Sequence, residues 1–210
     1  MTDFADGVAP AVNSGAADAA VGALSDARFA ADHFALFGLA RDFRIDTAAL
    51  ERNYRALQAQ THPDRFVTAG DSERRRALQW ATRVNEAYET LKKPLSRARY
   101  LLAELGGESD FVRNNALPTD FLVAQMELRE TVADAVAARQ VETLESLRDE
   151  RALALRAGYE ALAAILAAAA AVADSQRTTP LAQAADAIRR LMFEEKLLAD
   201  IDEALAALDE

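Results

Sequence analysis

The sequence predicts an all-α protein, an N-terminal helical hairpin joined to a C-terminal three-helix bundle, and three observations carry that expectation. Alanine and leucine dominate a chain that is 51% hydrophobic, so most of its apolar residues are good helix formers. Glycine and proline are scarce, eight and five in 210 residues, which leaves few places to turn a strand. Runs of Val, Ile and Thr with strict alternation are absent, so apolar surface must be buried by helices packing on one another.

Composition also narrows the chemistry. With no cysteine there is no disulfide, no thiol nucleophile and no thiolate ligand for zinc or an iron-sulfur cluster. The formal charge is -10, yet Lys and Arg outnumber Asp and Glu between Arg41 and Arg99, and the remainder is correspondingly more acidic. A basic segment in an acidic protein favours an acidic protein partner over nucleic acid. The alanine-rich stretch Ala161 to Ala173 is too short and too lightly apolar to span a bilayer, so no membrane span is expected. Residues 1-30 are rich in Ala, Asp, Gly and Ser and read as a flexible extension. They match neither a secretory signal nor a transit peptide, and a cytoplasmic location follows by default.

The elements follow in order. Asp32 caps a short helix through Phe34 and Phe37 that stops at Gly38, suited to a left-handed C-terminal position. Asp46 opens a second helix, where Leu50, Tyr54 and Leu57 form one buried face and Arg52 and Arg55 turn toward water. It must stop near Thr61, because Pro63 has no N-H to continue the ladder and restricts the residue before it; His62 begins a loop. A third helix starts at Asp71 or Ser72, with Ala77, Ala81, Val84, Tyr88 and Leu91 along one seam. A short helix, Leu95 to Leu105, is closed by Gly106-Gly107. Residues 106-118 are the expected linker between a domain at 31-105 and a bundle at 119-210. The bundle comprises Thr119 to Arg139, Val141 to Asp174, and a helix with Thr179 as cap and Pro180 in its first turn.

The tripeptide His62-Pro63-Asp64 is the candidate site. A proline between two polar side chains fixes the backbone, so imidazole and carboxylate are displayed at low entropic cost on binding. The bland alternative is a turn in which Asp64 bonds nearby backbone N-H groups and His62 merely ends the helix. Catalysis has little support, since the other histidine, His33, reads as a first-turn surface residue and no paired-carboxylate, serine or glycine-rich motif accompanies the loop. A histidine phosphotransfer protein would carry its histidine on a helix face, where Pro63 does not leave this one.

The tripeptide between a basic second helix and a long third helix resembles the J-domain, whose members stimulate ATP hydrolysis by DnaK-type chaperones. The stretches Phe34-Ala-Leu-Phe-Gly-Leu39, Val84-Asn-Glu-Ala-Tyr-Glu-Thr-Leu91, Pro94-Leu-Ser-Arg-Ala-Arg-Tyr-Leu-Leu102 and Met126-Glu-Leu-Arg-Glu130 narrow the match. They are similar to the HscB-type co-chaperones of iron-sulfur cluster assembly, over about residues 31-210. The resemblance implies a non-enzymatic, monomeric protein without a cofactor of its own, whose J-domain docks on the chaperone HscA while the C-terminal bundle holds the scaffold IscU. It places His62, Pro63 and Asp64 as the trigger, with Arg52, Arg55 and Arg65 supplying charge to the chaperone contact. Arg65 stands where a lysine is common in the family, which keeps the charge but changes donor geometry. The extension lacks the cysteine pairs of the longer eukaryotic forms and so fits a bacterial-type member.

The helix from Thr119 carries one apolar face too many. Phe121, Ala124, Leu128, Val132 and Ala135 fall within about 40° of Leu128 at 100° per residue and form the expected core stripe. Leu122 and Met126 lie about 120 to 160° from it, with Val123 close by. That second stripe either packs inside the protein or waits for a partner. The HscB resemblance assigns it to scaffold binding, on Leu122, Val123, Met126 and Phe193 with Glu127 and Glu130 at the rim; the alternative keeps the J-domain and gives the bundle a different client.

Overall fold

The computed structural model describes residues 26-108, 110-111 and 117-208. Among them every regular element is helical: α1 (Asp26–Phe29), α2 (His33–Leu36), α3 (Thr47–Thr61), α4 (Asp71–Lys92), α5 (Pro94–Glu104), α6 (Thr119–Ala137), α7 (Val141–Ala171) and α8 (Thr178–Leu208), with 3-10 turns at Pro63–Phe66 and Asp174–Gln176. The all-α expectation holds. Backbone contacts divide the chain into two units, residues 1-39 with 48-88, and residues 40-47 with 89-210.

In the first unit, the Asp32 carboxylate accepts from Ala35 N at 2.8 Å, and Gly38 takes φ 63°, so both ends of α2 are closed as the sequence indicates. Asn53 Nδ2 donates to Phe37 O at 2.8 Å and ties α3 to the end of α2. The α3–α4 hairpin is held by side chains: the Tyr54 and Tyr88 rings stack at 3.9 Å, Tyr54 Oη donates to Asn85 Oδ1 at 3.1 Å, and Tyr88 Oη donates to Glu51. Because the pairs 51–88 and 54–85 run in opposite order, the helices are antiparallel. Leu50, Leu57, Ala77, Trp80, Val84, Ala87 and Tyr88 are buried between them with Phe34, Leu36 and Phe37. Truncating an aromatic at such a position costs about 3 to 5 kcal/mol.

Two expectations need correction here. Residues 26-29, placed in the flexible extension, form a helical turn: Arg28 donates to Leu36 O at 3.2 Å, and the Phe29 ring meets Trp80 edge-on at 5.2 Å. The rest of the extension, 1-25, lies outside the described residues. His33 is buried, and desolvation, followed by the charge of Arg83, lowers its pKa from 6.5 to about 4. The spacing of a polar residue in a first turn does not reveal what packs over it.

In the second unit, α7 and α8 make the most extensive helix-to-helix contact, α6 packs on both, and α5 packs on α8 and α7. One end of the bundle is a cluster of Val132, Ala135, Leu144, Leu197 and Ile201. The division by contacts falls within the segment 31-105, so residues 40-47 and 89-105 group with the bundle. The reason is side-chain chemistry: Phe43 stacks on Tyr159 at 6.0 Å, Arg97 sits over Phe43 at 5.0 Å and donates to Leu91 O at 2.6 Å, and Arg44 pairs with Glu160 at 2.6 Å. The start of the expected linker is also docked. Phe111 is buried with Arg99 and Arg189 over its ring at 5.0 and 5.8 Å, and Glu108 pairs with Arg189. Residues 112-116 lie outside the described residues.

One helix start also shifts. α8 opens at Thr178, so Thr179 is inside the helix rather than its cap, while Pro180 keeps its place in the first turn, where a missing N-H is harmless. α7 as a whole is 31 residues and is long and apolar enough to cross a membrane by length and composition, which the alanine stretch alone did not indicate. It buries Leu144, Leu162, Ala163, Leu166 and Ala169.

Candidate functional site

His62 is the cap of a 3-10 turn, not the start of an irregular loop. The α3 ladder ends at Thr61, whose buried hydroxyl donates back to Leu57 O at 3.0 Å, and Pro63 opens the turn that runs to Phe66. His62 itself adopts φ -59°, ψ 127°, the extended conformation that a following proline favours. Its Nδ1 accepts from the backbone N-H of Asp64 at 3.3 Å, and the Asp64 carboxylate stands 3.5 Å from the same nitrogen. A neutral imidazole that accepts at Nδ1 carries its proton on Nε2. The His62 side chain is 53% exposed and that of Asp64 85%, so the two groups are held together yet open to a partner. In the bland alternative Asp64 would cap the turn; instead the imidazole does so, and the carboxylate is left on display.

The cationic residues divide into two kinds. Arg52 and Arg55 lie on the exposed face of α3, and Arg55 Nε meets Glu51 Oε1 at 2.9 Å. Arg65 does something that spacing does not reveal: its Nη1 donates to Ala59 O at 3.3 Å. It satisfies a carbonyl in the last turn of α3, where no helical N-H can reach, and so ties the 3-10 turn to the helix before it.

The second candidate site is on α6. Leu122, Val123 and Met126 are exposed by 38, 47 and 63%, side chains that a helix with its other face buried leaves in water. Glu127 and Glu130 are exposed beside them on the same helix. Phe193 on α8 is half-buried and meets Phe121 edge-on at 6.0 Å, which brings it to α6. The core stripe of α6 is rotated from the expected one: Ala124 is exposed and Gln125 is buried. The Gln125 amide donates to Glu194 Oε1 at 2.8 Å, a bond that offsets part of the cost of burying a polar side chain.

Among the described residues no group of three or more His, Asp or Glu side chains converges as a metal site. An exposed imidazole and carboxylate on a rigid turn, at the end of a helix with a basic outer face, define the J-domain class of protein. Residues 32–100 match the DnaJ domain model, and residues 117–202 match the model for the HSCB C-terminal oligomerisation domain. The chain is 48% identical over 178 residues to the co-chaperone protein HscB homolog of Azoarcus sp. (strain BH72), covering 85% of this chain and 96% of that protein. It is 45% identical over 181 residues to the corresponding homolog of Paraburkholderia phymatum, covering 84% and 95%. Among solved structures, chaperone HscB from Vibrio cholerae superposes with a TM-score of 0.73 at 35% identity, covering 85% of this chain and 99% of that one. Human co-chaperone protein HscB gives 0.70 at 25% identity, covering 83% and 82%. The chain belongs to the HscB family of J-domain co-chaperones.

Proposed function

We propose that this protein is an adaptor that stimulates ATP hydrolysis by a DnaK-type chaperone, HscA, and delivers to it the iron-sulfur scaffold IscU, promoting cluster transfer in the cytoplasm. The observation that carries this reading is the presence in one chain of two separate displays. One is the His62-Pro63-Asp64 turn with Arg52 and Arg55 on the adjoining helix; the other is the exposed Leu122, Val123 and Met126. The bond-breaking chemistry then belongs to the chaperone, and this chain contributes orientation and binding energy. Each fully buried aliphatic anchor is worth about 1.5 to 3 kcal/mol before association costs, so three or four suffice for micromolar binding.

The test is the ATPase rate of purified HscA with this protein, with IscU, and with both. Stimulation by each alone and a larger than additive rate together is expected. A rate with both that equals the rate with this protein alone would remove the scaffold from the proposal. A second reading, that the apolar face joins two copies, is favoured by the oligomerisation domain named in the matching family model. Sedimentation of the protein alone at rising concentration separates the two, and a monomer is expected.

A further inference from the structure

Gln125 is 6% exposed and lies on α6 at about 60° from Leu122 and 100° from Met126 around the helix, at the edge of the apolar face. Its Nε2 donates to Glu194 Oε1 at 2.8 Å, while its own Oε1 is buried and meets no donor of the protein. Glu194 directly follows Phe193, and Arg151 Nη1 on α7 stands 3.8 Å from Glu194 Oε2. One amide and one carboxylate therefore connect all three helices of the bundle, at chain positions next to Met126 on one side and Phe193 on the other.

A buried amide with a bare carbonyl is a poor way to hold helices together, since an apolar side chain of similar size would bury as much surface without stranding an acceptor. What it supplies is direction. Apolar contacts let two helices slide or rotate by small amounts, whereas a single amide-to-carboxylate bond is made at one register and one rotation only. We infer that Gln125 and Glu194 are positioning residues for the partner-binding face: their bond fixes α6 against α8 so that Met126 and Leu122 share one surface with Phe193. The inference rests on the proposal that this face binds the scaffold.

The experiment is calorimetric titration of IscU into the full chain, alongside thermal melting. Gln125→Leu is expected to melt no lower than the parent and to bind at least fivefold more weakly. Gln125→Glu alone opposes two carboxylates and should also bind weakly. The double variant Gln125→Glu with Glu194→Gln restores an amide-to-carboxylate bond in the reverse sense and should return affinity to within about twofold of the parent. Parent-like affinity for Gln125→Leu, together with weak binding by Leu122→Ala/Met126→Ala, would overturn the positioning role and leave the face intact. Parent-like affinity for Leu122→Ala/Met126→Ala would overturn the face, and the positioning role with it. If Gln125→Leu melts lower, the exchange decides: recovered melting temperature without recovered affinity would overturn the inference.

Discussion

The imidazole of His62 and the carboxylate of Asp64 share one nitrogen: Nδ1 accepts the Asp64 N-H at 3.3 Å and faces its Oδ2 at 3.5 Å. A side chain that caps its own turn and still exposes half its surface has a geometry set before any partner arrives, which lowers the ordering cost of association. The variant His62→Gln should therefore fold normally, with stability within about 0.5 kcal/mol of the parent as for other exposed positions. Its stimulation of HscA ATPase should be abolished. A coupled ATPase assay with the melting curve as control checks both, and stimulation at the parent level would refute the trigger role.

Arg52 and Arg55 are predicted to act at longer range. Replacing both with Ala should raise the concentration needed for half-maximal stimulation several-fold while leaving the maximum unchanged, because exposed charges mainly accelerate encounter. Repeating the titration across ionic strength checks this: the parent should weaken with salt more steeply than the variant. Equal salt slopes would count against a charge contact.

Changing Leu122, Met126 and Phe193 together to Ala should weaken scaffold binding tenfold or more, about 1.4 kcal/mol. Leu122 and Met126 are already exposed and cost little to truncate, whereas Phe193 rests against Phe121. Some loss of bundle stability is therefore expected from the third change, and the Leu122/Met126 pair should be titrated separately.

His33 supplies a pH-dependent prediction. Its pKa is lowered from 6.5 to about 4 by burial first and Arg83 second, so in acid the unfolded chain binds a proton that the folded chain refuses. Stability from this residue is complete above pH 6.5, falls as the pH drops toward 4, and is spent below that, a loss of about 2 to 3 kcal/mol. Urea denaturation at pH 7 and pH 4.5 checks it: His33→Gln should lose less stability between the two than the parent does.

At Gly107 a single added atom decides. A Cβ there would stand 2.5 Å from Leu102 Cδ1 and 3.0 Å from Leu102 O, the latter being backbone that cannot swing away. Gly107→Ala should destabilise the protein by about 1 to 3 kcal/mol, read as a lowered melting temperature. An unchanged melting temperature would mean that the segment after α5 is not fixed as described.

Much of this was legible in the sequence. Ala77, Val84, Tyr88 and Leu91 fell on one seam and are buried; Asp32 and Gly38 closed α2 because the chemistry of helix ends is local. Resemblance, rather than periodicity, named the roles of His62 and Phe193. What stayed hidden has a common cause, side chains whose surroundings come from far along the chain. Gln125 counts as polar until Glu194 is placed beside it, and Arg65 as a surface charge until Ala59 O is found within its reach. Phe111 looked like part of a linker because its neighbours are asparagines and glycines; Arg99 and Arg189, on either side in sequence, make it a core residue.

The acidic residues beside the apolar face of α6 have a consequence for how the protein lives among copies of itself. Leu122, Val123 and Met126 would be sticky surfaces in a crowded solution. With Glu127 and Glu130 exposed alongside, two identical faces that approach each other would bring carboxylate against carboxylate, and a counterpart that offers cations at its margin would be the better fit. On the proposed reading, the same few side chains would set both an appetite and an aversion, drawing in a cationic partner and discouraging contact between copies.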